Sequence, residues 1–494
     1  MESSDIGTDD VNDLGFWVIP ELLKLGIVFL KISESGNVVC EGVEPDVDIV
    51  AFRFFYWDTP IEGKGVCKLD GLVVFVPAMF PGDEGEVEVE YKRNGQYFGR
   101  VKKLSVFSPD RIEPLCKVST ACGGCVFQKY AYKAELEYKR RKVADQLKRY
   151  AEIDVEVLPT LGMENPINYR NKIQVPFGKD DKGKTIHGFY KEGTHAIVPR
   201  KECFIEDSRA QRILERLNDI FNRLGIEPYD EISETGSIRY AMIRTSYYKK
   251  EIMLVLVTKE AFVQRKPILI SLVQKEIPEV TTLIQNINGQ RTNVILGRRF
   301  ITLYGPGFIE DSLCGVKFKI SAESFYQTNP VMTEILYKTA MDFAEISKED
   351  VVLDAYSGIG TIGLIASKRA KKVISVELVE EAVKDAVKNA KANHINNFEA
   401  HQDDATAFIL RMAKRKEHLD VLFMDPPRKG STPKFLNAAL ALEPKKIVYV
   451  SCNPLTLARD LKILKSKYKV KKVQPVDEFG RSYHVETVAL LTKD

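Results

Sequence analysis

The sequence has no apolar run that is long enough to cross a membrane. Its most apolar N-terminal stretch, residues 14–32, is interrupted by Pro20, Glu21 and Lys24, whereas a spanning helix needs about 20 predominantly apolar residues. The N-terminus is acidic, which is the wrong charge for a secretory or organelle-targeting signal. These absences predict a cytoplasmic protein without membrane segments.

A strong net charge and a disulfide framework are also missing. The formal net charge is only +3, which by itself does not indicate a nucleic-acid partner. Short basic runs such as residues 139–142 are consistent either with a local surface that binds nucleic acid or with a solvent-exposed helix face. The eight cysteines are spread along the chain, and without a signal sequence this favours metal-binding or catalytic thiols over disulfides.

The length of 494 residues predicts two to three domains. Residues 1–46 show no clear period and are expected to form an extension, with disorder as one option. Residues 47–106 contain short, evenly spaced strands, which are typical of a small β-barrel. Residues 107–320 mix strands and helices and are expected to form a central α+β domain. In residues 321–494, strands and helices alternate along the chain.

The C-terminal domain has the pattern of an α/β fold. Residues 351–354, 373–377, 421–424 and 447–450 are continuous apolar runs, and buried parallel strands have this composition. An apolar stripe at helical spacing lies between the second and third of these runs. The sequence therefore predicts a doubly wound, Rossmann-like domain.

A glycine-containing turn at residues 354–360 closes the first of these strands and opens a helix. Open α/β sheets bind their ligands at such strand ends. Glu377 ends the next strand, where a carboxylate can accept hydrogen bonds from both hydroxyls of a ribose. Because the glycines depart from the dinucleotide fingerprint and acids stand at Asp354, Glu377 and Asp425, S-adenosylmethionine is favoured over NAD.

A cysteine, Cys452, stands in the Ser-Cys-Asn-Pro turn that follows the strand at residues 447–450. Residues 425–428, Asp-Pro-Pro-Arg, are similar to the fourth motif of methyltransferases. Arg428 occupies the position where enzymes that methylate exocyclic amines usually have an aromatic residue, which argues against that reaction. A plain structural cysteine is the alternative interpretation of Cys452.

A thiol is needed when the carbon that accepts the methyl group is not nucleophilic, as with C5 of uracil. Addition of the Cys452 thiolate at C6 generates an enolate whose C5 can attack a methyl group. A base must then remove the proton from C5, and Glu486 is the candidate for this step. The alternative for Glu486 is an exposed acid at the start of a strand.

Three closely spaced cysteines form a second candidate site. Cys116, Cys122 and Cys125 are arranged as C-x5-C-x2-C, and Cys203 is the candidate fourth ligand. Four thiolates fit either a [4Fe–4S] cluster or tetrahedral zinc. The spacing therefore predicts a metal centre, with the two metals left open.

Taken together, residues 47–494 resemble the RNA uridine-C5 methyltransferases, which make 5-methyluridine in ribosomal or transfer RNA. The resemblance is carried by the cysteine spacing, by residues 324–330 (Ser-Phe-Tyr-Gln-Thr-Asn-Pro), and by the motifs around Asp425, Cys452 and Glu486. It implies that the N-terminal barrel is an RNA-binding domain of the TRAM type, which is similar to an OB-fold, and that the central domain carries iron and sulfur.

The resemblance also implies roles for individual residues. It assigns the cofactor S-adenosylmethionine, the [4Fe–4S] cluster and the two catalytic functions to ten side chains. They are Gln327, Tyr356, Glu377 and Asp425 for the cofactor; Cys116, Cys122, Cys125 and Cys203 for the cluster; Cys452 as nucleophile; and Glu486 as base. The cluster is expected to be structural or to shape RNA binding.

The predicted substrate is RNA whose target uridine is extruded to reach Cys452. A barrel together with a cluster favours 23S rRNA, because the bacterial transfer-RNA enzyme of this class typically lacks both. The alternatives are methylation of the tRNA T-loop and a non-catalytic RNA-binding factor in ribosome assembly. A monomer without an obligate protein partner is expected. One departure from the family is Gly480, where proline is usual.

Overall fold

The computed structural model describes most of the chain in two compact units. The first unit comprises Met1–Glu113 and Val126–Ala134, and the second comprises Pro114–Cys125 and Glu135–Asp494. Most of the predicted N-terminal extension lies outside the described residues, and the predicted domain boundaries stay predictions. The described residues are 31–32, 38–39, 49–53, 63–69, 72–191, 193–261, 265–292 and 294–493.

The first unit is built on a five-stranded sheet with the order β3-β6-β7-β5-β4. The β6–β7 hairpin turns at Asn94 and Gly95, which both have positive φ angles, as a two-residue hairpin turn of type I′ requires. Val74, Val76 and Val87 form part of its buried core, so the predicted β-rich N-terminal region is confirmed. The strands are β1 (Lys31–Ile32), β2 (Val38–Val39), β3 (Ile49–Arg53), β4 (Gly65–Leu69), β5 (Leu72–Val76), β6 (Glu84–Arg93) and β7 (Gln96–Val106).

The central part of the second unit contains a seven-stranded sheet with the order β10-β9-β8-β11-β12-β13-β14. Only β12 and β13 pair in parallel, so the sheet is mixed. The strands are β8 (Lys172–Lys179), β9 (Thr185–Tyr190), β10 (Ile197–Pro199), β11 (Ile238–Thr245), β12 (Ile252–Thr258), β13 (Thr282–Ile287) and β14 (Arg299–Tyr304).

Three helices and a separate hairpin accompany this sheet. Helix α2 begins where the side chain of Asp207 accepts a hydrogen bond from the Arg209 amide, and it ends at Gly225 with a left-handed φ of 58°. The elements are α1 (Tyr132–Gln146, followed by a π-helical turn over Leu147–Ala151), α2 (Ser208–Leu224), α3 (Lys266–Glu276), β15 (Phe308–Leu313) and β16 (Val316–Ser321).

The C-terminal sheet has the order β19-β18-β17-β20-β21-β23-β22. Its first five strands are parallel, whereas β23 runs antiparallel to both of its neighbours. The predicted α/β fold is confirmed. The strands are β17 (Val351–Ala355), β18 (Lys372–Glu377), β19 (Phe398–Gln402), β20 (Val421–Met424), β21 (Lys446–Ser451), β22 (Lys469–Val476) and β23 (Glu486–Thr492).

Six helices accompany these strands: one precedes the first strand of the sheet, and five connect its strands. Most of them begin at a side-chain cap or a proline, such as Asn453 and Pro454 at the start of the last helix. None of the helices in the described ranges is long and apolar enough to cross a membrane. The helices are α4 (Pro330–Ala344), α5 (Thr361–Ser367), α6 (Glu380–Ala392), α7 (Ala405–Arg415), α8 (Pro433–Leu442) and α9 (Pro454–Leu464).

The topology of this sheet determines where the functional side chains meet. Parallel strands end at one edge, so the turns after β17, β18, β20 and β21 lie side by side, and a ligand binds where the strand order reverses, between β17 and β20. Because β23 is antiparallel, its first residues reach the same edge, and Thr487 pairs with Ser451. Glu486 is thereby brought close to the turn that holds Cys452.

Candidate active site

A cavity of about 780 Å³ lies at this edge of the C-terminal sheet. Ligand pockets in proteins are typically about 300–1,000 Å³, so the cavity is large enough for a nucleoside-sized cofactor and a base. Six of the residues predicted from sequence line it together. They are Gln327, Tyr356, Glu377, Asp425, Cys452 and Glu486.

Glu377 is held in a fixed orientation at the end of β18. One of its carboxylate oxygens accepts a hydrogen bond from the Gly358 amide at 2.9 Å, and the other accepts one from the Val379 amide, also at 2.9 Å. Each carboxylate oxygen retains capacity for further donors. The position and chemistry of Glu377 therefore fit the recognition of two ribose hydroxyls.

Asp354 does not line the cavity but lies beneath the glycine turn. Its Oδ2 accepts a hydrogen bond from the Gly363 amide at 2.7 Å, and a Cβ at Gly363 would approach the same oxygen to 2.9 Å. Burial raises the pKa of Asp354 to about 8. This acid therefore supports the turn, and Gly363 is needed because helix and strand approach closely there.

Tyr356 is connected to the helices that follow β20 and β21. Its hydroxyl lies 2.8 Å from Ser431 Oγ, and the Ser431 amide donates to the buried carboxylate of Asp460 at 2.7 Å. Asp460 also accepts from the Tyr449 hydroxyl at 2.8 Å. The network joins one wall of the cavity to the buried face of the sheet, which keeps the Tyr356 ring in place.

Cys452 is half-buried in the turn between β21 and α9. Its neighbour Asn453 donates a side-chain hydrogen bond to the Arg428 carbonyl at 3.1 Å, so this turn and residues 425–428 are tied together. Burial and the carboxylates of Glu486 and Asp425 raise the pKa of Cys452 to about 12, and only Arg428 acts in the opposite direction among its charged neighbours. The thiol is therefore protonated near neutral pH.

Two carboxyl groups, Asp425 and Glu486, act on this thiol, and a third, Glu478, acts on Glu486. Burial raises the pKa of Asp425 to about 7. Burial, together with the charges of Glu478 and Asp425, raises the pKa of Glu486 well above its ordinary value. Glu478 is fully buried, and its Oε1 accepts a hydrogen bond from Thr333 Oγ1 at 2.7 Å. Carboxyl groups with raised pKa values are stronger bases than exposed ones.

Glu478 was not recognised from the sequence, nor was the contact between Arg428 and His484. An Arg428 nitrogen donates to the imidazole of His484 at 2.9 Å, and burial beside Arg428 lowers the pKa of His484 to about 3. His484 is thus neutral at physiological pH. The adjacent acids Asp477 and Glu478 between two apolar strands were the available signal for Glu478.

The four cysteines of the predicted metal site are not grouped in the way that the cavity residues are. Cys116, Cys122, Cys125 and Cys203 form no disulfide and are partly buried, and Cys122 and Cys203 both lie within electrostatic range of Arg200. Within the part of the chain that the structure describes, no three His, Cys, Asp or Glu side chains are grouped so that they could hold a metal ion. The structure therefore does not support the predicted [4Fe–4S] cluster or zinc site.

Comparison with known proteins identifies the family. The family model of tRNA (uracil-5-)-methyltransferase matches residues 309–494. An uncharacterized RNA methyltransferase from Clostridium tetani is 42% identical over 87% of this chain and 94% of its own. Another from Listeria innocua is 43% identical over 88% of this chain and 96% of its own.

A solved structure extends the likeness to most of the chain. It is the Pyrococcus abyssi tRNA (uracil-54, C5)-methyltransferase in complex with S-adenosyl-L-homocysteine. It superposes with a TM-score of 0.69 at 28% identity, and the match covers 88% of this chain and 98% of that chain. With the cavity at the sheet edge, these matches show that this chain is an S-adenosylmethionine-dependent methyltransferase that belongs to the RNA uracil-C5 methyltransferase family.

Proposed function

We propose that the protein methylates C5 of uridine in RNA by covalent catalysis, with Cys452 as nucleophile and Glu486 as base. The observation that carries this proposal is the single cavity shared by Cys452, Glu486, Asp425 and Glu377. A thiol beside buried carboxylates is the combination that addition to a pyrimidine ring and later proton removal require.

The reaction begins when the Cys452 sulfur, as thiolate, forms a bond to C6 of uracil. The electrons of the C5–C6 double bond then make C5 nucleophilic, and C5 takes up a methyl group. Glu486 next removes the proton from C5, and the bond between sulfur and C6 breaks as the double bond returns. Its raised pKa makes Glu486 a better base for this carbon acid than an exposed glutamate.

The cofactor S-adenosylmethionine supplies an electrophilic methyl group when it is bound. Gln327, Tyr356, Glu377 and Asp425 are the residues that we assign to it, and all four line the cavity. The fixed carboxylate of Glu377 supports a ribose contact, since its oxygens are oriented by the Gly358 and Val379 amides. Asp425 is also close enough to Cys452 to contact the target uracil.

We propose an RNA substrate that is either 23S rRNA, as predicted from the sequence, or tRNA, the second candidate. The Pyrococcus abyssi protein is described as acting on uracil-54 of tRNA, which favours the second candidate. The cluster that supported the rRNA assignment is not supported by the structure. The cluster itself, the monomeric state and the cytoplasmic location stay predictions from the sequence, and no step of the mechanism depends on them.

Trapping with 5-fluorouridine tests the proposal. Purified protein is incubated with S-adenosylmethionine and with 23S rRNA or tRNA transcripts that contain 5-fluorouridine. Because fluorine at C5 cannot leave as a proton, a protein–RNA adduct that resists denaturation should accumulate with wild type and not with Cys452→Ala. If no adduct forms with either RNA although S-adenosylmethionine binds, the proposal is wrong and a non-catalytic role in ribosome assembly replaces it.

A further inference from the structure

The loop of residues 477–485 joins β22 to β23 and leads directly into Glu486. Phe479 from this loop and Glu486 both line the cavity. Arg481 has a φ of 69°, a left-handed conformation that costs a residue with a side chain about 1 kcal/mol. A loop with this conformation keeps a single shape only when neighbouring groups hold it.

Part of this support is an ion network from helix α1. The Lys139 ammonium group donates to Asp477 Oδ1 at 2.6 Å, to Glu135 Oε1 at 2.7 Å and to the Phe479 carbonyl at 3.3 Å. All three charged side chains have zero exposure. Buried ion pairs add little net stability compared with apolar packing, so a gain in stability does not explain this network.

The same helix face supplies two further contacts to the loop. Glu135 Oε1 accepts a hydrogen bond from the strained Arg481 amide at 2.8 Å. Lys142 donates to the Tyr483 carbonyl at 2.9 Å, and its ammonium group lies 5.0 Å from the centre of the Tyr483 ring. Residues 135, 139 and 142 share one face because helical side chains three or four positions apart are neighbours.

Other side chains hold the loop from different directions. Asn329 donates to the Glu478 carbonyl at 3.1 Å, and the Tyr169 hydroxyl donates to the Gly480 carbonyl at 2.8 Å. A Cβ at Gly480 would approach the Met163 methyl group to 2.7 Å. Gly480 is therefore enclosed, although the family usually has proline at this position.

We infer that Glu135, Lys139 and Lys142, which we term the α1 clamp, position this loop so that Glu486 can remove the proton from C5 of uracil. The inference rests on the proposed role of Glu486. The clamp residues do not line the cavity, so they are positioning residues. They act on the step after methyl transfer, because the loop carries the base and not the nucleophile.

Hydrogen exchange of backbone amides tests whether the α1 clamp holds the loop, independently of enzyme activity. Lys142→Met removes one donor at the partly exposed end of the clamp. We expect backbone amides of residues 477–485 to exchange about fivefold faster in this variant, the factor that corresponds to one lost hydrogen bond. Arg141→Met, on the exposed side of the same helix, is the matched control and should leave this exchange unchanged.

Kinetics with uridine deuterated at C5 measure the effect on catalysis. In Lys142→Met, and in Lys139→Met where it folds, proton removal should become slower, so the isotope effect on turnover rises above its wild-type value. A methylated protein–RNA adduct should accumulate as well. A loss of folded protein alone would lower the rate without changing the isotope effect, and Lys142→Arg, which keeps the donor, should restore both values.

The two measurements separate the inference from the proposed function. Absence of any 5-fluorouridine adduct in the wild type would overturn the function, while loop exchange would still decide whether the clamp holds the loop. Unchanged loop exchange in Lys142→Met would overturn the clamp. An active wild type with an unchanged isotope effect in Lys142→Met would overturn its link to catalysis.

Discussion

The cavity of the C-terminal sheet and the cysteine segment of residues 116–125 were both predicted from spaced motifs. Among the residues that the structure describes, the cavity residues are grouped as a site, whereas the cysteines are not grouped as a metal site. The cavity residues stand at the ends of parallel strands, which meet at one edge for topological reasons. The four cysteines stand in turns and loops outside the helices and strands, where no such rule applies. The spacing of a motif alone is therefore a weaker basis for predicting a site than a motif whose residues stand at the ends of predicted parallel strands.

The two regions surround their thiols with similar charges. Burial with Glu486 and Asp425 raises the pKa of Cys452 to about 12 although Arg428 opposes the change, and burial with Glu206 raises the pKa of Cys203 to about 11 although Arg200 opposes it. The difference between the regions therefore lies in how their residues are grouped and not in the charges around these two thiols.

The largest effect is expected at Glu486. In Glu486→Gln, turnover should fall by about 10²- to 10⁴-fold, the usual contribution of a general base, and an adduct with ordinary uridine RNA should accumulate. A denaturing gel with labelled RNA measures both. The double variant Cys452→Ala/Glu486→Gln should form no adduct, and ordinary turnover by Glu486→Gln would remove this residue from the mechanism.

Outside the cavity, the largest effect should occur at Lys139. Lys139→Met leaves two carboxylates buried without their cation and should lower the free energy of unfolding by about 3–5 kcal/mol. Urea denaturation measures this change. Arg141→Met removes an exposed ion pair with Glu137 and should change stability by less than about 1 kcal/mol; equal effects of the two variants would contradict the importance of the buried network.

The pH dependence of adduct formation tests whether the groups around Cys452 raise its pKa. Because its pKa is raised to about 12, the thiolate fraction and the single-turnover rate with 5-fluorouridine RNA should rise about tenfold per pH unit near neutrality. Glu486→Gln removes one of the two carboxyl groups that raise the pKa of Cys452, so it should lower this pKa and speed adduct formation at a pH where Glu486 is ionised. A flat pH profile would contradict this account.

A smaller effect is expected from the network behind Tyr356. Tyr356→Phe removes the hydrogen bond to Ser431, and such a bond contributes about 1 kcal/mol. Binding of S-adenosylmethionine should weaken about fivefold, as measured by calorimetry. Thr406→Ala, which removes another hydroxyl at the rim of the cavity, serves as a control with less change expected; similar losses in both would indicate that the Tyr356 network has no special role.

The smallest effect on chemistry is expected at the predicted metal ligands. Cys203 does not line the cavity, so Cys203→Ser should change turnover at saturating RNA by less than about threefold, within the range of a surface substitution. Metal analysis of protein purified without oxygen checks the cluster prediction in the same samples. Iron present in the wild type and lost in the variant would confirm it, whereas a metal-free wild type would show that the predicted ligands do not bind metal.

The C-terminal fold could be predicted with near-residue accuracy. The apolar run at residues 351–354 corresponds to β17 (Val351–Ala355), and the run at residues 447–450 corresponds to β21 (Lys446–Ser451). Buried parallel strands are apolar on both faces, so their composition reveals them locally. The motifs that follow these strands then placed Glu377, Asp425 and Cys452 at one edge.

Lys139 shows what local patterns do not reveal. In the sequence it belongs to a basic run that fits a nucleic-acid footprint or a solvated helix face, yet in the structure its side chain has zero exposure. Its partner Asp477 lies 338 positions away. Nothing in the residues around Lys139 specifies that partner, so the sequence-based interpretation of this residue was wrong.

The sequence by itself determined the order in which the reactive groups occur along the chain: an acid and a thiol that each follow a buried strand, and a second acid that begins one. Strand composition and turn motifs are local properties, which is why the sequence reveals them. Only the tertiary structure decided that Glu478 is buried and acts on Glu486, that α1 contacts the loop of residues 477–485, and that the predicted metal ligands form no metal-binding group among the described residues. The physical reason is that burial and charge pairing depend on contacts between residues that are distant in the chain.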